Sequence, residues 1–205
     1  YGASGQRPSP GAVRALDTYW NTVIDHGLNA STFTARVIAS TGGSLGAAIE
    51  GALGALEGPL HGGAPGPALE ALFALRAKGG DLADDTRAWA EAEIRAGRRL
   101  MGFGHRIYKV RDPRALVLER AAEELSSGSS LLAAARVHEA AVLEVLGRLK
   151  PGRAIATNVE FYTALLLHGL GLESAWFTPV FALGRLAGWI AHVAEQRIRG
   201  RLIRP

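Results

Sequence analysis

The sequence predicts an all-α fold. Apolar residues recur at the three- and four-residue spacing of a helix, as Val13, Leu16, Trp20 and Val23 do near the start of the chain. Segments of this kind are separated by breaks rich in glycine and proline, and the alternation of β-branched and polar residues that marks strands is missing. At 205 residues the chain can bury one sizeable core, or most of one domain together with a smaller lobe.

Three helices are predicted before a long break. The first begins at Pro10, because proline suits the first position of a helix, and it ends near Gly27. The second covers residues 33–40 and the third covers residues 45–56, with a pair of glycines between them. Glycines and alanines make the third helix unusually slim, so we expect it to be buried against other helices.

A dense break rich in glycine and proline follows at residues 58–67, and six helices are predicted after it. The first of them follows the break and ends near Arg76, and the others cover residues 84–96, 113–125, 131–149, 157–168 and 178–197. At the start of the fifth, Thr157 and Glu160 have the spacing of a capping box, in which each side chain bonds a backbone N–H of the other residue.

Composition argues against several classes of function. The formal net charge is +4, but the arginines are dispersed and no basic tract carries interleaved aromatic residues, which argues against a nucleic-acid partner. Without cysteine the chain has neither disulfides nor thiolate chemistry, and no set of His, Asp and Glu has the spacing of metal ligands. No apolar span reaches membrane length without interruption, and we expect no signal peptide, so we expect a cytoplasmic protein without membrane contact.

One glycine-rich loop carries the strongest functional signal. Gly102 and Gly104 permit backbone angles and close approaches that side chains would block, and His105 follows them directly. Nine residues later Arg114 lies in the first turn of a helix that Asp112 can cap. An anion at this helix start would meet both the guanidinium and the positive end of the helix dipole. A polarising histidine beside such an arginine suggests chemistry on an anionic carbonyl compound.

Two further residues are candidates for chemistry, each with a structural explanation as well, and a third has only a structural one at this stage. His61 lies in a turn before a helix, where a neutral ring could donate a hydrogen bond to a developing oxyanion. Glu160 is a carboxylate that could act as a base, or it could serve only the capping box. His26 fits a histidine stabilised by the dipole at the end of a helix.

Three segments resemble the corresponding segments of the citrate synthase family and occur in the family's order: residues 58–64 (GPLHGGA), 99–114, and 158–161 (NVEF). The resemblance runs from about residue 10 to the last residue and implies a large helical domain with a smaller helical domain. Residues 1–61 and 170–205 would form an incomplete large domain, and residues 62–169 the small one. The chain corresponds to about the C-terminal half of a citrate synthase, so we expect a fragment of a longer protein.

The resemblance implies a role for each candidate catalytic residue. His61 would hold the thioester oxygen of acetyl-CoA during enolisation, and His105 would bond the ketone of oxaloacetate. Glu160 stands where the family commonly has an aspartate that removes the methyl proton, so the base would be one methylene longer. The adenine end of coenzyme A would be wrapped by the backbone of Leu100, Met101, Gly102, Phe103 and Gly104.

The resemblance also implies four substrate-binding side chains. His26 would contact oxaloacetate, and Arg114 and Arg185 would clamp carboxylates. Arg204 would reach the active site of a partner subunit, so a homodimer is expected. No cofactor would be bound permanently, because the coenzyme A thioester is a substrate. The remaining histidines match no family site and are expected at the surface or in the core: His138, His168 and His192.

The implied reaction joins acetyl-CoA, oxaloacetate and water to give citrate and coenzyme A by general acid–base catalysis. Three alternatives stay open at this point. A 2-methylcitrate synthase would use propionyl-CoA with the same residues, and a citryl-CoA lyase would run the carbon–carbon step in reverse. A catalytically weak relative or fragment would bind acyl-CoA or carboxylates without turnover.

Overall fold

The structure, a computed structural model, describes residues 7–105, 108, 110–126 and 128–204. Within these residues the chain forms nine α-helices: α1 (Pro10–Val23), α2 (Ala30–Ser40), α3 (Leu45–Leu56), α4 (Pro65–Ala77), α5 (Leu82–Arg95), α6 (Pro113–Leu125), α7 (Ser130–Leu149), α8 (Val159–Gly169) and α9 (Phe177–Arg199). A 3₁₀ helix, Ser174–Trp176, precedes α9. The described residues hold no strand, and one antiparallel bridge pairs Phe103 with Thr157. The prediction of an all-α fold is confirmed.

Side-chain caps fix many of the helix starts. In the described part of the chain, a side chain accepts a hydrogen bond from a backbone N–H of the first turn at Asn29, Ser44, Asp81, Asp112, Ser129 and Asn158. The predicted cap of α6 by Asp112 is therefore confirmed. Helix α4 begins at Pro65, inside the break predicted at residues 58–67, because the first helical position needs no backbone N–H.

The chain divides into two compact units. The first takes in the described residues up to Thr18 together with Ala64–Ser174. In it α6 packs against α8, α5 packs against α7, and α4 contacts α8. Helix α8 lies at the centre of this packing, since every residue of the range 159–167 is buried apart from Glu160.

The second unit takes in Tyr19–Gly63 and the described residues from Ala175 onward. Helices α2, α3 and α9 contact one another there. Their shared core consists of small residues and a few large ones: Ala35, Ala39, Ala48, Ala52, Leu56, Trp189 and Val193. The slim helix α3 is thus packed against other helices, as predicted. The assignment of residues 1–61 with 170–205 to a large domain, and of residues 62–169 to a small one, stays a prediction.

Helix α9 differs from the expectation based on the sequence. By length and composition alone, the 26 residues of Ser174–Arg199 could cross a membrane, although no uninterrupted span was expected. A core helix passes the same test. Since Trp189 and Val193 belong to the core of the second unit and Arg185 is also buried, we interpret α9 as the core helix of that unit.

A glycine allows α9 to approach the end of α1 closely, and this contact gives a first prediction. A Cβ at Gly188 would lie 2.0 Å from the carbonyl oxygen of Ile24, which is backbone and cannot move cheaply. We expect Gly188→Ala to lower the free energy of unfolding by about 2 kcal/mol or more, as overpacking does. Urea denaturation followed by circular dichroism measures the change.

The matched control is Gly147→Ala on α7, where a Cβ would meet nothing within 4 Å. There the ordinary helix preference for alanine should raise the free energy of unfolding by ~0.5–1 kcal/mol. Equal stabilisation by both substitutions would contradict the close approach at Gly188.

Candidate active site

In the first unit, the loop of residues 100–104 is held against the segment that leads into α8. The N–H of Gly104 donates to the carbonyl of Ala156 at 2.8 Å, and the N–H of Asn158 donates to the carbonyl of Gly102 at 3.0 Å. The side-chain amide of Asn158 also donates to the carbonyl of Gly104 at 2.9 Å. These bonds place the start of α8 directly beside the residue that precedes His105.

A backbone hydrogen bond determines which nitrogen of the neutral His105 ring carries the proton. The N–H of Tyr108 donates to Nδ1 of His105 at 3.1 Å, so the neutral ring carries its proton on Nε2. Burial is the largest cause of a lowered pKa at His105; Asp112 opposes it and Arg114 adds to it. His105 is therefore suited to act as a neutral hydrogen-bond donor.

Arg114 lies beside His105 and is oriented by Asp112. Its Nε and Nη2 donate to the two carboxylate oxygens of Asp112 at 3.1 and 2.8 Å, and its backbone N–H donates to the same side chain at 3.0 Å. Burial by itself would raise the pKa of Asp112, but the hydrogen bonds and charge of Arg114 outweigh it and lower that pKa. The Nη2 of Arg114 lies 3.4 Å from Nε2 of His105. Because both nitrogens are donors, they can bond neighbouring oxygens of a single substrate.

The predicted capping box at α8 is wrong. Asn158, not Thr157, caps the helix, and its side-chain oxygen accepts from the N–H of Glu160 at 3.0 Å. Glu160 consequently occupies the second helical position, where its carboxylate is not engaged in a reciprocal cap. The side-chain amide nitrogen of Asn158 donates to that carboxylate at 3.4 Å.

Burial gives Glu160 an unusual pKa. It raises the pKa of this carboxyl from 4.5 to about 7, against the opposing effects of Asn158, Arg114 and Arg99. A carboxyl with such a pKa is a candidate general base near neutral pH. The first unit therefore brings together three predicted residues, His105, Arg114 and Glu160, with the predicted coenzyme A loop.

In the second unit, His61 is bonded to a serine of α2. Its Nε2 lies 2.9 Å from Oγ of Ser31, and that hydroxyl donates to the side-chain oxygen Oδ1 of Asn29 at 2.7 Å. The indole N–H of Trp189 also donates to Oγ of Ser31, at 3.2 Å. Because the hydroxyl proton points to Asn29, the ring of His61 supplies the proton of the His61–Ser31 bond from Nε2.

Arg185 affects His61 by its charge. Burial lowers the pKa of His61 first, and the positive charge of Arg185 lowers it further. Arg185 is itself 2% exposed, and its Nε donates to the carbonyl of Val23 at the end of α1. His26 follows in the next turn, within the same unit. The second unit thus contains His26, His61 and Arg185.

Two further residues considered in the sequence, Arg204 and His138, lie outside these two groups. Arg204 is described and exposed, so its expected role in a partner subunit stays a prediction. His138 is buried, its Nδ1 is hydrogen-bonded to the hydroxyl of Thr86 at 3.0 Å, and its ring stacks on Phe161, as expected for a core histidine.

In the described residues, no group of three or more His, Asp and Glu side chains could hold a metal ion.

Comparison with known proteins decides the family. The family model for the C-terminal domain of citrate synthase matches residues 1–205. The chain belongs to the citrate synthase family. A protein of Mycobacterium bovis with a provisional citrate synthase name is 46% identical over 198 residues, which are 97% of this chain and 51% of that protein. Citrate synthase 2 of Bacillus subtilis is 37% identical over 205 residues, 100% of this chain and 53% of that protein.

Solved citrate synthase structures have the same fold. The enzyme of Thermotoga maritima superposes with a TM-score of 0.86 at 38% identity, over 98% of this chain and 53% of that one. A ternary complex of the Thermoplasma acidophilum citrate synthase with carboxymethyl coenzyme A and oxaloacetate superposes with a TM-score of 0.86 at 32% identity, covering 98% and 52%. The chain spans about half the length of the curated relatives it matches.

The raised pKa of Glu160 gives a prediction about stability and pH. The folded protein keeps the Glu160 proton up to pH about 7, whereas an ordinary glutamate releases it near 4.5. The retained proton therefore stabilises the folded state, and this stabilisation is fully present below pH 4.5. It is lost over the range from pH 4.5 to about 7, as Glu160 releases its proton in the folded protein. The free energy of unfolding should fall across this range by at least ~1 kcal/mol more in the wild type than in Glu160→Gln.

Urea titrations at a series of pH values measure this difference. The control is Glu70→Gln on α4, where the glutamate is exposed and the wild-type slope should be kept. Equal slopes for the wild type and Glu160→Gln would rule out the buried, proton-retaining carboxyl.

Proposed function

We propose that the protein condenses acetyl-CoA with oxaloacetate and water to give citrate and coenzyme A. One observation carries the proposal: Glu160, with a pKa of about 7, shares the first unit with the neighbouring donors of His105 and Arg114. Membership of the citrate synthase family supports it, as does the likeness to the Thermoplasma enzyme solved with carboxymethyl coenzyme A and oxaloacetate.

Glu160 would remove a proton from the methyl group of acetyl-CoA. A base is most effective when its pKa lies near the working pH, because it is then ionised often enough and still basic enough to accept the proton. Burial provides that pKa here. The extra methylene relative to aspartate lengthens the arm but leaves the chemical group unchanged.

His105 and Arg114 would hold the ketone and a carboxylate of oxaloacetate. The proton on Nε2 of His105 can be donated to the ketone oxygen as the new carbon–carbon bond forms, which stabilises the developing alkoxide. The guanidinium of Arg114 is fixed by two bonds to Asp112, so it needs no reorganisation when the anion arrives.

His61 would hold the thioester oxygen as its charge develops. In the described arrangement, Nε2 of His61 bears the proton bonded to Ser31. To donate from Nδ1, the neutral ring requires Ser31 to turn its hydroxyl proton from Asn29 toward Nε2. Burial and the charge of Arg185 keep the pKa of the ring low, which favours this neutral donor over an imidazolium.

The carbon–carbon bond formation would give citryl-CoA, and attack by water on its thioester would release citrate and coenzyme A. The coenzyme A thioester is consumed as a substrate, and the proposal requires no permanently bound cofactor. The backbone of residues 100–104 would contact the adenine end of the thioester. Arg204 would serve the active site of a second copy in a cytoplasmic homodimer.

The proposal is tested by following the release of free coenzyme A with a thiol reagent. The chain has no cysteine, so it adds no background to this assay. Acetyl-CoA and oxaloacetate together should release coenzyme A, while either substrate alone should not. Faster release from propionyl-CoA would instead identify a 2-methylcitrate synthase.

The decisive variant is Glu160→Gln, which keeps the shape of the side chain and removes the base. We expect kcat to fall by about 10²–10⁴-fold, the range typical of a lost general base. Glu70→Gln, on the exposed face of α4, should keep the wild-type rate. If coenzyme A release persists in Glu160→Gln, another group is the base; if the wild type binds both substrates without release, the protein is a binder.

Cleavage of citryl-CoA is a second candidate. A citryl-CoA lyase from Hydrogenobacter thermophilus superposes with a TM-score of 0.78 at 27% identity, covering 97% of this chain and 74% of that one. The same base and donors would serve the reverse carbon–carbon step. A lyase supplied with citryl-CoA would form acetyl-CoA and oxaloacetate, whereas a citrate synthase would also release coenzyme A by hydrolysis.

A further inference from the structure

The turn between α1 and α2 is anchored to α9 at several points one helical turn apart. Arg185 donates to the carbonyl of Val23, and the backbone at Gly188 lies against the carbonyl of Ile24. The next contact along this face of α9 is made by His192, whose Nε2 lies 3.0 Å from Oδ1 of Asp25. The first two contacts pack α9 against the backbone at the end of α1. The third is a polar bond directed at the residue before His26.

The ring of His192 is held from both sides. Nη1 of Arg36 donates to Nδ1 of His192 at 2.9 Å, so the neutral ring carries its proton on Nε2 and donates it to Asp25. The side chain of His192 is 17% exposed, which leaves the ring little freedom to turn. One histidine thus bridges a carboxylate and a guanidinium through its two nitrogens.

Arg36 is fixed in turn by the last turns of α9. Its Nε donates to the side-chain oxygen of Gln196 at 3.1 Å, and its Nη1 pairs with the carboxylate of Glu195 at 2.5 Å. Gln196 is buried. The arginine that bonds His192 is therefore itself bonded to α9, and these bonds restrict its movement relative to the His192 ring.

Asp25 connects His192 to the backbone of the turn between α1 and α2. Its carboxylate accepts the backbone N–H of Gly27 at 3.3 Å and also bonds the backbone of His26. Gly27 has φ of +60°, a conformation that reverses the chain at this point. The Asp25 carboxylate therefore holds the backbone of the turn that carries His26.

We propose that His192 is a positioning residue for His26. By fixing Asp25, it sets the turn that presents the imidazole of His26 to a keto-dicarboxylate substrate. The substrate part of this inference rests on the proposed function, in which His26 contacts oxaloacetate. The positioning part concerns the geometry of the second unit and can be measured without turnover.

The test compares His192→Leu with His192→Gln in the purified, ¹⁵N-labelled protein. Glutamine offers one donor to Asp25 and one acceptor to Arg36, whereas leucine fills the space and offers neither. The chain has six histidines, so the ring nitrogen signals can be assigned with single variants, His26→Asn identifying those of His26. His168→Leu on α8, in the first unit, is the matched histidine control.

We expect the ring signals of His26 to shift or broaden in His192→Leu and to keep their wild-type positions in His192→Gln and His168→Leu. We also expect the KM for oxaloacetate to rise by about ten-fold in His192→Leu, with a smaller change in kcat, and to be largely restored in His192→Gln. A purely structural role would lower the stability of His192→Leu and leave the folded protein's His26 signals unchanged.

Unchanged His26 signals in folded His192→Leu would overturn the proposal, as would an equal disturbance in His192→Gln. Absence of turnover in the wild type would count against the proposed function alone, because the His26 signals would still decide the positioning role.

Discussion

The site in the first unit depends on the short contact between residues 102–104 and residues 156–158. Two backbone hydrogen bonds and one side-chain bond join them. Gly102 has φ of +88°, and a Cβ there would lie 3.1 Å from Cβ of Phe161, so glycine alone fits the approach without strain. His105 begins one residue beyond this contact and Glu160 two residues beyond it. A single local constraint therefore positions both the donor and the base.

Within this frame, two carboxyl groups at helix starts have opposite pKa shifts. A helix N-terminus favours the ionised form of either one. Asp112 is bonded directly by Arg114, which outweighs burial and lowers its pKa. Glu160 feels the same arginine only at longer range, so burial prevails and its pKa rises to about 7. The structure thus separates a carboxylate with a lowered pKa, which orients Arg114, from one with a raised pKa, which can exchange a proton near neutral pH.

The helices were largely predictable because glycine, proline and capping residues mark their ends locally. The start of α8 was not, since Thr157 and Asn158 are both good caps and the pattern favours the first. Asn158 is selected by its second bond, to the carbonyl of Gly104, 54 residues away in sequence.

Short motifs predict the residues of the candidate site, but His192 belongs to no such motif. Its partner Asp25 is separated from it by 167 residues, so only the packing of α9 on the turn reveals the pair.

The second unit shows how a structural contact can also set chemistry. Arg185 is buried and bonds the carbonyl of Val23, where the end of α1 leaves backbone oxygens without helical partners. A buried guanidinium keeps its charge, and that charge, added to burial, lowers the pKa of His61. The residue that ties α9 to the turn bearing His26 therefore also lowers the pKa of His61. A change that loosened this contact would weaken the turn and move the charge of Arg185 relative to His61, so the fold and the electrostatics of His61 must change together.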